Sequence, residues 1–499
     1  MTPNNSSVRF DLETHATDFV PDALAADTLR GVIHQKDVQL KGIDDEIAQL
    51  RVRLRALEEQ MTEVAEFRDL HRAFLAPIRK LAPEILGEVF MQYLLASRVE
   101  RSARFKDGFD VCLPLLQVCI RWRRIILGTP GLWTVLQVAP GTQDRVQMCL
   151  NNSRSLPIQV HLDPYNLKGS SEIRLLLNNF HRVREIKGYG FPLMQEILRR
   201  ECILQTPVLR VVHLAGSARC SQDECFRLQN IIQAPPIESL ELKDCLCLFS
   251  IFCRNPGKLR RLKLAEERDS DLYTPALLDI LPFSSSLQGL HLQLPKQMMA
   301  IRKDVPKITL PHLRSLSLMG RRDHICELLA SLDVPSLHCL TLVCLWCEPE
   351  VTPSWIPIQT FLRGDPPPLR FLTLDHVSLE HGFVDFISRL SHLEHLRLDE
   401  CHMTDEHLLA FILDHNIPQD NMVCPKLATL SLTQQMYLDE GFVEVVESRA
   451  PLPGMPWKNR CLRSVECQYW NLPDHCRREL EDISEACGGL LTLDLEQWL

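Results

Sequence analysis

The sequence predicts an α/β chain: a long N-terminal helix, a small all-helical module, then a curved solenoid of short strands and helices. Three observations carry this. Leucines recur as Leu-x-x-Leu-x-Leu through the C-terminal two-thirds. Apolar residues recur by sevens between Ile33 and Val64. Between these regions, Leu81 to Trp133 holds apolar residues at helical spacing. A chain of 499 residues exceeds one ordinary core, so several domains or a repeat array are expected. The expected boundaries are a disordered N-terminus over 1–26, a coiled-coil-like helix over 27–76, the helical module over 77–140 and the repeats over 155–499.

Residues Met1–Val20 are polar and acidic, with no apolar stretch of the kind a secretory signal carries. From Ile33 one seam reads Ile33, Leu40, Ile47, Leu54, Met61, and a second reads Ile43, Leu50, Leu57, Val64, with Lys36 as the misfit. These are the a and d positions of about four heptads. In parallel pairing Glu46 at g faces Arg51 at the following e, and Arg53 faces Glu58. Two readings stand at this point: a parallel homodimer, and a helix folded back on its own helical module. Pro77 ends the helix before that module.

In the module, Pro83 suits the first turn of a helix, where its missing N–H costs nothing. Ile85, Leu86, Val89 and Phe90 form one apolar face, and Leu115, Leu116, Val118, Cys119 and Trp122 a second. Gly128-Thr129-Pro130-Gly131 ends the second helix, and Leu132 and Trp133 follow as anchors. Two or three short helices cannot bury all these faces alone, so the rest of the chain or a partner must cover them. This order of residue types resembles an F-box, specifically that of a large family of fungal proteins, over about a tenth of the chain. The resemblance implies docking on the Skp-type adaptor of a cullin–RING ubiquitin ligase. The matching positions are Leu81, Pro83, Ile85, Leu86, Leu115, Val118, Trp122 and Trp133. The chain departs from the family at Ala96–Asp110, read as a polar loop where a compact F-box is shorter. Arg121, Arg123 and Arg124 are read as a solvated helix face or a rim that meets an acidic adaptor.

The repeated unit starts at Leu209, Ile237, Leu259, Leu287, Leu313, Leu337, Leu369, Leu393 and Leu427, with weaker copies at Leu462 and Leu490. Starts lie 22 to 35 residues apart. Each short strand alternates inward leucine with outward polar residues and cannot bury its inner face alone, so neighbours stack. Thr274-Pro275 and Thr404-Asp405-Glu406 start connecting helices with caps. The pattern resembles leucine-rich repeats. It places Cys245 and Cys401 at the Asn/Cys position, and Cys247 and Met403 at the last apolar one. Cys245 and Cys247 are therefore read as core, not as a ligand pair.

A formal net charge of −9 argues against nucleic acid as a main partner. No run of 18 apolar residues exists, so no membrane span is expected. A cytoplasmic or nuclear location follows as the expectation, with the 19 cysteines mostly reduced and buried. Cys344-Leu-Trp-Cys347 lacks a second ligand pair at matching spacing, and His392 and His395 are read as exposed strand residues. Phosphate-binding, dinucleotide-binding and hydrolase motifs are missing from the sequence. The chain is therefore expected to be a non-enzyme without cofactor or metal. Its working surface is expected to be the concave strand face, with Arg261, Arg370, Phe371 and Arg397 as the target-binding anchors. The resemblance implies a substrate-recognition subunit that holds a target protein near the ligase. The alternatives are a non-enzymatic scaffold outside ubiquitination, and a hydrolase with a deep pocket of converging His, Cys and acid groups.

Overall fold

The structure is a computed structural model that describes residues 22–99, 107–163, 171–200, 203–216, 222–265, 274–294, 307–345, 366–377, 379, 382–401, 403–413, 422–435, 440–451, 461–469 and 472–497. The chain divides into two compact units, Met1–Leu86 and Gly87–Leu499.

The first unit is dominated by one helix of 52 residues, α1 (Ala23–Phe74). Its length is set by composition: Ala, Leu, Glu, Gln and Arg favour the helix, and proline is missing throughout. The helix begins at Ala23, inside the segment expected to be disordered, and residues 1–21 lie outside the described residues. It ends where Pro77 bars the helical conformation to the residue before it: Ala76 is extended, at φ −57° and ψ 129°. A 3₁₀ turn over Pro77–Lys80 follows.

Helix α2 (Pro83–Val99) starts in the first unit and runs into the second. The second apolar stretch is two helices, not one: α3 (Gly108–Val118) and α4 (Ile120–Gly128). They break at Cys119, whose extended backbone leaves its sulfur to accept the Trp122 N–H at 3.5 Å. The polar loop is also shorter than expected. Helix α2 continues to Val99 and α3 begins at Gly108, with residues 100–106 outside the described residues.

Beyond the helices, the second unit is built on a 14-stranded sheet whose strands are all parallel and lie side by side in sequence order. Its strands are β1 (Val135–Val138), β2 (Ile158–Leu162), β3 (Val183–Tyr189), β4 (Val211–Ala215), β5 (Ser239–Lys243), β6 (Arg261–Ala265) and β7 (Gly289–Gln293). A two-residue strand, β8 (Ile308–Thr309), pairs outside the sheet with β10 (Leu332–Asp333). The sheet resumes at β9 (Ser315–Gly320), β11 (Cys339–Cys344), β12 (Phe371–Asp375), β13 (His395–Asp399), β14 (Thr429–Gln435), β15 (Ser464–Tyr469) and β16 (Thr492–Gln497). Parallel neighbours require a crossover, and among the described residues helices lie in these crossovers, from Gln143–Asn152 between the first pair to Asp474–Ala486 between the last, except between β7 and β9 and between β11 and β12.

Register explains the leucines. The second position of every unit falls in one column: Val212, Leu240, Leu262, Leu290, Leu316, Leu340, Leu372, Leu396, Leu430, Val465, Leu493. Apart from Leu493 on the terminal strand, which is half-buried, these residues are buried. The last unit is displaced by one residue at its first position: Leu490 is 51 % exposed, and Leu491 takes the buried place. Three strands, β1 to β3, precede the leucine units. They lack the triplet, and of the three only β2 keeps the alternation, Ile158-Gln-Val-His-Leu162 being buried and half-buried in turn. The two expected starts of connecting helices differ. Thr404 caps the helix Asp405–Phe411 reciprocally with His407. A helix spans Thr274–Ile280, but the side chains of Thr274 and Pro275 lie outside the described ones.

Candidate functional site

Helix α2 carries two apolar stripes. Leu86, Phe90 and Leu94 are buried, at 0, 2 and 0 % exposure. Ile85, Val89 and Tyr93 are 54, 44 and 53 % exposed. Each stripe repeats at i, i+4, i+8, so each lies along one line of the helix surface. The single face expected from Ile85, Leu86, Val89 and Phe90 is thus two faces, one turned to the core and one to solvent.

The sequence-assigned residues divide accordingly. In the first unit Leu81 is half-buried, Pro83 and Ile85 are exposed, and Leu86 is fully buried. In the second unit Val118 is 56 % exposed, while Leu115 and Trp122 are half-buried. The Trp122 ring packs on Phe90, with centroids 4.8 Å apart. Trp133 is fully buried, and its indole N–H donates to the Ile126 carbonyl at 2.9 Å. Leu86 and Trp133 therefore cannot belong to a docking surface: their side chains are spent on the core. Residues the sequence reading passed over extend the exposed apolar set in the second unit. Leu95, Leu113, Ile120 and Leu127 are 46, 41, 66 and 38 % exposed. Their signal was present as apolar residues off the main helical stripe. Arg123 and Arg124 are exposed among them, and Arg123 donates to the Leu116 carbonyl at 3.1 Å.

A buried carboxylate ties α3 to the first strand of the sheet. Asp107 caps α3, accepting the Asp110 N–H at 2.8 Å. Its other oxygen accepts the Gln137 N–H of β1 at 3.3 Å, and Arg145 donates to the first, capping oxygen at 3.1 Å. Burial pushes its carboxyl above the usual range, against these hydrogen bonds and Arg145. Asp107 falls within the expected polar loop, because its partners are 30 and 38 residues away and leave no local signal.

The open face of the sheet presents residues between the leucines. One column runs Gln137, His161, Lys187, His213, Glu241, Lys263, His291, Ser317, Thr341, Thr373, Arg397, Ser431, Glu466, Asp494. It begins rich in cations and histidine, turns to hydroxyls, and ends acidic. Burial lowers the pKa of His161, His213 and His291, and Lys263 adds to this at His213 and His291.

Of the four expected anchors, Arg370, Phe371 and Arg397 fall on the neighbouring strands β12 and β13, Arg370 at the threshold of its strand. Phe371 is 42 % exposed and stacks on His395, with centroids 4.2 Å apart and planes 2° from parallel. Arg370 lies 3.8 Å from Glu394, and Arg397 lies 3.4 Å from Asp399. Arg261 is exposed, in the same column as Phe371 but four strand spacings away, about 19 Å. The fold brings three of the four together and leaves Arg261 apart. His395, read as merely exposed, is the stacking partner of Phe371.

The thiols at the repeat's Asn/Cys position bond to backbone. Cys245 donates to the Leu214 carbonyl at 3.3 Å, and Cys401 to the Leu374 carbonyl at 3.4 Å. In each case the acceptor is the last leucine of the preceding unit. Burial pushes the Cys401 thiol up to about 12, which removes it as a nucleophile at neutral pH. Cys344 is buried, while Cys347 and the side chain of Cys247 lie outside the described residues. Among the described residues no three His, Cys, Asp or Glu side chains are grouped to hold a metal ion. Among them, too, no helix is long and apolar enough to cross a membrane.

Fold and surface together define a mixed α/β protein: a broad parallel sheet preceded by helices that expose apolar residues. No protein-family model matches the chain, and no curated protein matches it.

Proposed function

We propose that this protein is a substrate-recognition subunit of a Skp–cullin–F-box ubiquitin ligase, with helices α2–α4 acting as an F-box and the strand array as a curved leucine-rich-repeat solenoid that holds the target. The observation that carries this reading is the exposed apolar set on those helices. Val89, Tyr93, Leu113, Val118 and Ile120 are large, apolar and 41 to 66 % exposed within one short stretch. Such a surface marks a protein interaction site. In this reading Ile85 and Val118 meet the adaptor, Pro83 and Leu81 shape the first turn, Leu115 and Trp122 support it, and Leu86 and Trp133 hold the core.

The protein contributes proximity rather than chemistry: it raises the local concentration of target lysines near a charged ubiquitin carrier. It acts inside the cell, without cofactor, metal or nucleic acid. Arg261, Arg370, Phe371 and Arg397 are the target contacts, with Phe371 presented by its stack on His395.

The test is co-purification of the full chain with a Skp-type adaptor. Wild type is expected to bind, and Val89→Asp with Val118→Asp is expected to lose binding while circular dichroism stays unchanged. Failure of wild type to bind, or full binding by the double variant, overturns the reading.

A further inference from the structure

Every residue of α1 from Gly31 to Val64 is exposed. The nine apolar seam residues are 40 to 68 % exposed, Ile47 least and Met61 most. A lone helix in water gains little from propensity alone; the stability of long helices comes from burying a face. The seam spans roughly 47 Å at 1.5 Å per residue. A partner must therefore offer an apolar line of the same length.

We infer that the occupant of this seam is the same seam of a second copy of the chain, in a parallel two-stranded coiled coil. Three features on the helix select that partner. The a and d positions hold register over more than four heptads, broken only by Lys36 at d, and a single polar residue in a seam fixes register. The central heptad places Ile47 at a and Leu50 at d, the arrangement that favours two parallel strands. The flanks are self-complementary in the parallel arrangement: Glu46 meets Arg51 of the other copy, and Arg53 meets Glu58. The seam also begins earlier than the heptads from Ile33 imply, with Leu29 half-exposed at the preceding d position. The dimer carries two copies of the second unit, so a target with two recognition segments binds with avidity.

Sedimentation of the full chain tests this independently of adaptor binding. Wild type is expected at about twice the 57.3 kDa chain mass. Leu50→Asp with Leu57→Asp is expected to sediment as a monomer with an unchanged melting transition for the rest of the chain. Arg53→Glu, which sets Glu against Glu58, is expected to raise the dimer dissociation constant by roughly threefold or more. Adding Glu58→Arg to it is expected to restore the wild-type constant. A monomeric wild type, a dimer that survives the seam substitutions, or no rescue by the charge swap each overturns the parallel homodimer.

Discussion

Arg449 is 1 % exposed and has no carboxylate at its guanidinium among the described residues. Instead it donates to three backbone carbonyls: Phe411 at 2.6 Å, Val423 at 2.7 Å and Cys424 at 2.8 Å. Burial lowers its pKa to about 10, so it stays charged at neutral pH. The carbonyls belong to a helix end and to a turn where Cys424 adopts φ 47°, so one side chain satisfies acceptors that the backbone leaves open. Arg449→Met keeps much of the volume but orphans all three. The expected loss is about 3 kcal/mol in urea unfolding, with Arg449→Lys intermediate. Nothing in the local sequence around Arg449 signals this role, since its partners lie 25, 26 and 38 residues away. The left-handed residues Asp244, His376 and Glu400 show the opposite case. Each follows a strand directly, at φ 56°, 53° and 47°, and marks the turn out of its repeat. Their position is legible from the leucine pattern, although their identity, unlike glycine, is not what that turn favours.

At the scale of elements, α3 packs closely against the 3₁₀ turn over Pro130–Trp133. A Cβ on Gly108 would stand 2.3 Å from the Leu132 carbonyl oxygen. Gly108→Ala is therefore expected to cost about 1–3 kcal/mol, read as a lowered midpoint in thermal or urea unfolding. An unchanged midpoint would mean that the helix and the 3₁₀ turn over Pro130–Trp133 are not held together here. The helices themselves were legible in outline. Proline and glycine punctuation placed the ends of α1 and α4, and apolar spacing found α2. What the spacing could not resolve was direction. Ile85 and Leu86 are neighbours of like hydropathy, and only packing decided that Leu86 goes inward and Ile85 outward. The Cys119 break was hidden for a similar reason: an apolar run reads alike whether one helix or two cover it.

Across the whole molecule, the sheet gathers histidines that are far apart in sequence into one column with opposed pH behaviour at its surroundings. His161, His213 and His291 have folded pKa values below the ordinary value of 6.5, mainly through burial. Their neutral forms are favoured by folding, so the stability they allow is present above 6.5 and is lost as pH falls through the lowered values. His376 behaves oppositely. The Asp375 side chain at 2.6 Å, with Glu400 beside the other ring nitrogen, raises its pKa. Its contribution is present below 6.5 and is lost as pH rises through the raised value. Hydrogen exchange at about pH 7.5 and about pH 5.5 is expected to show strands β2–β7 loosening in acid while the turn after β12 tightens. Replacing the three column histidines with Gln should abolish the acid effect; its persistence would locate the titration elsewhere.

The sequence by itself determined the order of parts and their periods: a heptad helix, a helical stretch, and leucine units that became successive parallel strands. It could do so because these signals are local, set by side-chain spacing of seven, four and two along a single element. Tertiary structure alone decided which of two adjacent apolar residues is core, which distant carbonyls Arg449 satisfies, that β1–β3 begin the sheet before the leucine triplets do, and that Phe371 meets His395 while Arg261 stands apart. Those outcomes depend on partners tens of residues away, brought close only when neighbouring strands fall into register.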